Sequence, residues 1–379
     1  MESSLQETLY AIALTKMDSI DIMSAHVLYD TMGSATAVFE NRHDIKSFIP
    51  DATQRLQEAI LNTDNALRLA EKELDFMQGK NVRCIIKNDS SYPDRLRQCA
   101  DAPLVLYYCG NADLNRTRIV SMVGTRKCTP YGQDICRTFV ADLKKSFPDI
   151  LIVSGLAYGI DIHSHQAALS CGMDTVGILA HGLDRIYPQP HRPVAVEMTQ
   201  HGGLLTEYTS GTTPEKVNFV RRNRIVAGIS DACVVVESAA KGGSLITAQL
   251  AFDYNREVFA FPGRINDAYS AGCNKIIAQH QATLIQSAAD FLTVMGWNTQ
   301  DNAKKRGTVA VQRELFPVLS AEEQKVVNAL ANGNSKMINQ LSADTNINYS
   351  TLSSMLFDME MKGIVATQGG GKYRLLMNV

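Results

Sequence analysis

Three glycine turns in the middle of the chain carry basic or hydroxyl side chains where a strand hands over to a helix. The first is Gly124-Thr125-Arg126-Lys127. The second runs from Ser154-Gly155 through Ala157, Tyr158 and Gly159 to Asp161, and the third is Lys241-Gly242-Gly243-Ser244. A further segment, "FVRRNRIVAGIS", holds Arg221, Arg222, Asn223 and Arg224. Glycine lets backbone approach an anion closely, and the N–H groups that open a helix point towards it. Arginine and lysine add charge-assisted bonds suited to phosphate. One such turn is weak ground, because tight strand-to-helix turns need glycine for geometry alone. Three of them with basic residues along one rim predict a phosphate-recognising groove. Three arginines within four helical positions must spread around the helix, so at least one of them points away from it.

Other chemistries find less support. There is no G-x-x-x-x-G-K-[ST] and no G-x-G-x-x-G, so neither a magnesium P-loop nor a dinucleotide cofactor is expected. His163 and His165 stand two apart on a helix, hence on different faces, and read as packing residues rather than a metal pair. Asp161 reads as a cap or an organiser of its turn. A Ser154–His165 catalytic pair lacks the G-x-S-x-G elbow. The eight cysteines are scattered without a C-x-x-C, which reads as buried free thiols in a reducing compartment. No cofactor and no metal are expected. The net charge of -2 excludes a globally basic nucleic-acid coat, so any anion site must be local. The opening "MESSLQETLYAIALTKMD" does not read as a signal peptide, and no apolar run approaches the ~20 residues that cross a bilayer. A cytoplasmic protein without membrane contact is expected.

The elements that must position these residues follow from hydrophobic period. Residues 1–78 show apolar residues at three- and four-residue intervals and predict a module of short helices. Residues 79–297 alternate short β-branched runs ("VRCIIK", "LVLYYCG", "RIVSMVG", "ILIVSG", "TVGILA", "GLLTEY", "ACVVVES", "EVFAFPG") with helical stretches. Runs apolar on both faces belong to covered strands, and repeated βα units predict a doubly wound parallel α/β sheet. Residues 298–318 read as a linker. Residues 319–379 predict three helices and a glycine-turned hairpin, a winged helix, opened by a Ser320/Glu323 capping box. Its recognition helix is apolar and acidic, which favours a protein-contact or architectural role over DNA.

The strings "VGTRKCTPYG", "VSGLAYGIDIHSHQAAL", "HGLDRIYP", "RRNRIVAGIS" and "VVVESAAKGGSLITAQLAFDYNREVFAFPG", followed by "SAGCNKIIAQHQATLI", resemble in their order the DNA-processing protein A family, also called DprA or Smf. The resemblance covers roughly residues 81–296. It implies an extended Rossmann-like domain between a sterile-alpha-motif-like or helix-hairpin-helix module and a winged helix. It also implies a single-stranded DNA-binding protein, without catalytic turnover, that protects strands in natural transformation and helps load the RecA recombinase, commonly as a homodimer. On the family's motifs, the DNA-binding residues implied are Gly124, Arg126, Ser154, Gly155, Gly159, Arg222, Asn223, Arg224, Lys241, Gly243 and Ser244. Tyr131 and Tyr158 are the candidate base-stacking aromatics. The sequence departs from the family pattern at Val220, His181, Gly242 and Gln281, and His181 is expected to narrow the groove. The alternative is a nucleotide-binding or N-glycosidase-type enzyme of related fold, with Glu237 as acid.

Overall fold

The computed structural model describes residues 4–297, 319–330, 335–362, 364–368 and 372–375. They form two compact units, divided between Thr299 and Gln300. The segment read as a linker, 298–318, and the glycine turn of the C-terminal hairpin lie outside the described residues.

The first unit is built on nine strands: β1 (Arg83–Ile86), β2 (Val105–Gly110), β3 (Ile119–Val123), β4 (Leu151–Ser154), β5 (Thr175–Ile178), β6 (Gly202–Thr206), β7 (Ala232–Val235), β8 (Glu257–Ala260) and β9 (Thr283–Leu284). Their order is β1-β2-β6-β5-β4-β3-β7-β8-β9. From β6 to β9 every neighbouring pair is parallel. The sheet is not wholly parallel, which corrects one expectation: β1 pairs with β2, and β2 with β6, in antiparallel sense. Apolar runs state burial but not direction, so those two strands looked like the rest. The chain winds outwards from β3 through β4, β5 and β6, then returns to the other side of β3 as β7 and continues to β8 and β9. The reversal creates a crevice at the carboxyl ends of β3 and β7, where open α/β sheets hold ligands.

Alternate strand residues face opposite helix layers. Ile119, Val123, Cys233 and Val235 lie in one core cluster; Val120, Met122, Ala232 and Val234 lie in the other. Six helices precede the sheet: α1 (Leu5–Leu14), α2 (Ile22–Met32), α3 (Ala35–Glu40), α4 (Ile45–Phe48), α5 (Gln54–Leu61) and α6 (Asp64–Met77). They share a core with Ile86, Val105 and Tyr107, so they cover the antiparallel end of the sheet. Between and after the strands come α7 (Asp94–Arg97), α8 (Pro130–Ser146), α9 (Ile160–Ser170), α10 (Arg192–Met198), α11 (Lys216–Gly228), α12 (Gly243–Asp253), α13 (Ala271–Ala278) and α14 (Ala288–Val294). The helices α11, α12 and α13 pack on one face and α8, α9 and α14 on the other. Among the described residues no helix is long and apolar enough to cross a membrane.

The second unit has helices Ala321–Leu330, Ile338–Thr345 and Tyr349–Met361 with a three-stranded sheet, β10 (Lys336–Met337), β12 (Lys372–Leu375) and β11 (Val365–Gln368), in that spatial order. Its own core gathers Val326, Leu330, Leu341, Leu352, Leu356 and Met359. The reciprocal cap is present: Glu323 N donates to Ser320 Oγ at 3.2 Å, and Ser320 N to Glu323 Oε2 at 2.7 Å. Lys362, bonded to Glu323 at 2.6 Å, holds that carboxyl below its ordinary range.

Candidate nucleic-acid interface

The loops after β3, β4 and β7 are stitched together by their backbones. Thr125 N donates to Glu237 O at 2.7 Å, and Ile160 N donates to Thr125 O at 3.1 Å. The contacts leave no room for side chains at Gly124, Gly155 and Gly159. A Cβ on Gly124 would meet Ile160 and Glu237 O, and one on Gly155 would overlap both the Asp161 carboxylate and the Arg222 guanidinium. Gly159, at φ 77°, opens α9 with its α-carbon against Thr125 and Arg126 backbone, an approach and a conformation that only glycine meets without strain.

These turns and α11 enclose an open groove of about 670 Å³. Gly124, Arg126, Gly155, Arg222, Asn223, Lys241, Gly243 and Ser244 line it, as does Asp161. The first turn of α12 enters this wall without a side-chain cap on its amides. Three of the eleven expected residues stand elsewhere. Ser154 is fully buried and donates to Met122 O at 2.6 Å, and Gly159 packs under the first loop. Arg224 turns to the opposite side of α11, where it binds Glu207 at 2.5 Å. The cause is helical period: residues two apart project in nearly opposite directions.

The groove also holds residues that sequence reasoning passed over. Lys216, Phe219 and Val220 share one face of α11 with the expected Asn223 at three- and four-residue spacing, a pattern that was available in the sequence. Tyr187, from the loop after β5, joins Phe219 at a ring distance of 5.9 Å. Arg126 lies over Phe219 at 5.1 Å. The aromatics of the groove are therefore Phe219 and Tyr187. Tyr131 instead donates to Pro262 O at 2.6 Å, and Tyr158 packs edge-on against His191. His181 is buried beside Gly182 O and does not line the groove, so it does not narrow it.

Burial raises the Asp161 carboxyl above its ordinary range, and the facing Arg222 charge opposes that rise. Burial likewise lowers Arg222. His165 is enclosed between Thr175 Oγ1 at 2.7 Å and Gly155 O at 2.5 Å, and burial pushes it down to about 4. It is a neutral strut under the second turn. Among the described residues no three His, Cys, Asp or Glu side chains are grouped to hold a metal. Glu237, the acid of the enzyme alternative, is buried outside the groove. It accepts from Thr129 N at 2.8 Å and from Thr129 Oγ1 at 2.6 Å, holding the start of α8.

Residues 83–296 match the family model of the DNA recombination-mediator protein A, and residues 314–371 that of the DprA winged helix domain. The chain belongs to the DprA/Smf family. The putative DNA processing protein DprA of Mycobacterium tuberculosis is 32% identical over 320 residues, 81% of this chain and 80% of the relative. The DNA processing protein DprA of Streptococcus pneumoniae is 39% identical over 204 residues, 54% of this chain and 71% of the relative. A crystal structure of the pneumococcal DprA superposes with a TM-score of 0.64 at 31% identity, covering 77% of this chain and 98% of that one. A DprA structure from Helicobacter pylori, described for its single-stranded DNA binding mode, gives 0.52 at 30% identity, covering 58% and 97%. This DprA-family chain carries the family's mixed α/β sheet and winged helix.

Proposed function

We propose that this DprA-family protein binds single-stranded DNA in the groove at the carboxyl ends of β3, β4 and β7, without chemical turnover, and serves as a recombination mediator. The observation that carries the reading is the lining itself. Arg126, Lys216 and Lys241 supply positive charge around glycine turns, and Phe219 with Tyr187 offers a surface for stacking. Phosphates gripped by backbone amides and cations, with bases against rings, make binding salt-sensitive and indifferent to sequence. The likeness to the H. pylori DprA supports the choice of ligand. RecA as partner, and protection of strands taken up in transformation, rest on the family. A homodimer rests on it as well and is supported by the open sheet edge at β9, where Leu284 is exposed.

The test is single-stranded DNA affinity across a salt series for the wild type and for Arg126→Ala/Lys241→Ala. The double variant is expected to bind more weakly and with a slope of log K against log salt shallower by about one to two. An unchanged affinity moves the DNA site elsewhere. No binding by the wild type at moderate salt, with release of base from nucleoside monophosphates, returns the enzyme alternative.

A further inference from the structure

The groove is lined for phosphate, yet its floor holds a carboxylate. Asp161 is 8% exposed and Arg222 4%, and both line the groove. Both head groups border the space over the α-carbon of Gly155, where any side chain would displace them. Arg222 spends Nη1 on Ile178 O and Nε on Asn223 Oδ1. Asp161 Oδ2 accepts a long bond from Ala157 N at 3.3 Å. The nearby Ser154 hydroxyl has one proton, and it goes to Met122 O. Among the described residues Arg222 Nη2 donates no hydrogen bond, and the Asp161 carboxylate, with Ala157 N and the Ser154 hydroxyl beside it, keeps lone pairs to spare. The floor therefore presents a donor beside an acceptor.

A phosphate offers acceptors alone, so it gains nothing from an ionised carboxylate and is repelled by it. A nucleobase edge is different: adenine (N1, N6–H), cytosine (N3, N4–H), guanine (O6, N1–H) and thymine (O4, N3–H) each present an acceptor beside an N–H. Resting on the reading of this groove as a single-stranded DNA site, we infer that Asp161 and Arg222 form a base subsite that receives the edge of one unstacked base, while phosphates stay at the rim with Arg126, Lys216 and Lys241. All four bases satisfy the pair, so the subsite distinguishes a base from its absence without choosing among bases. Phe219 and Tyr187, in the same lining, supply the stacking wall.

The test compares a mixed-sequence oligonucleotide with an abasic deoxyribose-phosphate chain of equal length, on the full chain, for wild type, Asp161→Ala and Asp161→Asn. Wild type is expected to prefer the base-bearing strand by about tenfold or more. Asp161→Ala is expected to lose about tenfold on the base-bearing strand while binding the abasic chain as tightly as wild type or more tightly. Asp161→Asn keeps an acceptor and the side chain's shape, and is expected to retain part of the preference, so the subsite remains testable if the alanine variant does not fold. Equal changes on both chains in either variant would reduce Asp161 to a support for Arg222 and overturn the subsite. So would a wild type that does not distinguish the chains, although its binding of both would leave the phosphate reading intact. Failure of wild type to bind either chain removes that reading, and the subsite with it.

Discussion

At the scale of single residues, the neighbours Arg222 and Arg224 divide the work of α11. Arg222 reaches the groove, whereas Arg224 is a buried ion-pair partner of Glu207, with Asp101 at 3.9 Å. Arg224→Ala is expected to leave Glu207 buried and unpaired and to cost about 3–5 kcal/mol of stability in denaturant titration. The salt slope of DNA binding is expected to stay as in wild type, because no phosphate contact is lost. His165 gives a second residue-scale prediction. Its folded pKa of about 4 lies below the ordinary 6.5, so the unfolded chain binds the proton more tightly. Its contribution to stability is therefore full above pH 6.5 and is lost as pH falls towards 4, by up to about 3 kcal/mol at 1.36 kcal/mol per unit. Denaturant titrations from pH 7 to 4 are expected to show that loss, and His165→Gln to flatten it. The identity of such residues was legible in the sequence, but their aim was not. Arg222 and Arg224 sit in the same R-N-R string, and only the helix's placement against the sheet decides which one meets the groove.

At the scale of elements, the groove depends on helices that do not line it. Glu73, in α6, is 3% exposed and accepts from Ser210 N at 2.8 Å and Ser210 Oγ at 2.6 Å. Ser210 lies in the loop from β6 to α11, and Asp184 accepts from the next amide, Gly211 N, at 3.0 Å. The N-terminal helices thus hold the approach to the helix that carries Lys216, Phe219 and Arg222. Glu73→Ala removes a negative charge, which by electrostatics alone favours a polyanion. It is nevertheless expected to weaken single-stranded DNA binding several-fold at unchanged salt slope, and to cost about 1–3 kcal/mol of stability. Stronger binding would show that the loop needs no anchor. Eight of the nine strands in the large sheet were legible because each is a short apolar run between turn signals. The ninth, β9, was not: it has two residues, both exposed, and its pairing with β8 comes from the fold. The stacking wall was half legible. Phe219 follows the period of α11, whereas Tyr187 arrives from a loop that no local pattern connects to that helix.

At the scale of the whole molecule, a net charge of -2 means that the groove's positive field is local, and on the proposed reading one groove of about 670 Å³ takes only a few nucleotides. On the proposed reading longer strands would gain from a second groove, which a second copy would supply by raising the effective concentration of binding sites. The two edges of the large sheet differ in how ready they are for such pairing. At β1, Ile86 is buried in the core that the N-terminal helices share. At β9 the sheet ends in two exposed residues, with Leu284 45% and nearby Phe252 53% exposed around one depression that also takes in Ile277. An open apolar edge of this kind invites pairing with another strand. Leu284→Lys places a charge in that edge, which natural sheets use to prevent association. Light scattering is expected to give a dimer for wild type and a monomer for the variant. Affinity is expected to fall for long oligonucleotides and to stay the same for short ones that fill a single groove. A variant that remains a dimer would move the interface off β9, and a loss of affinity on short strands would mean that β9 supports the groove itself rather than its duplication.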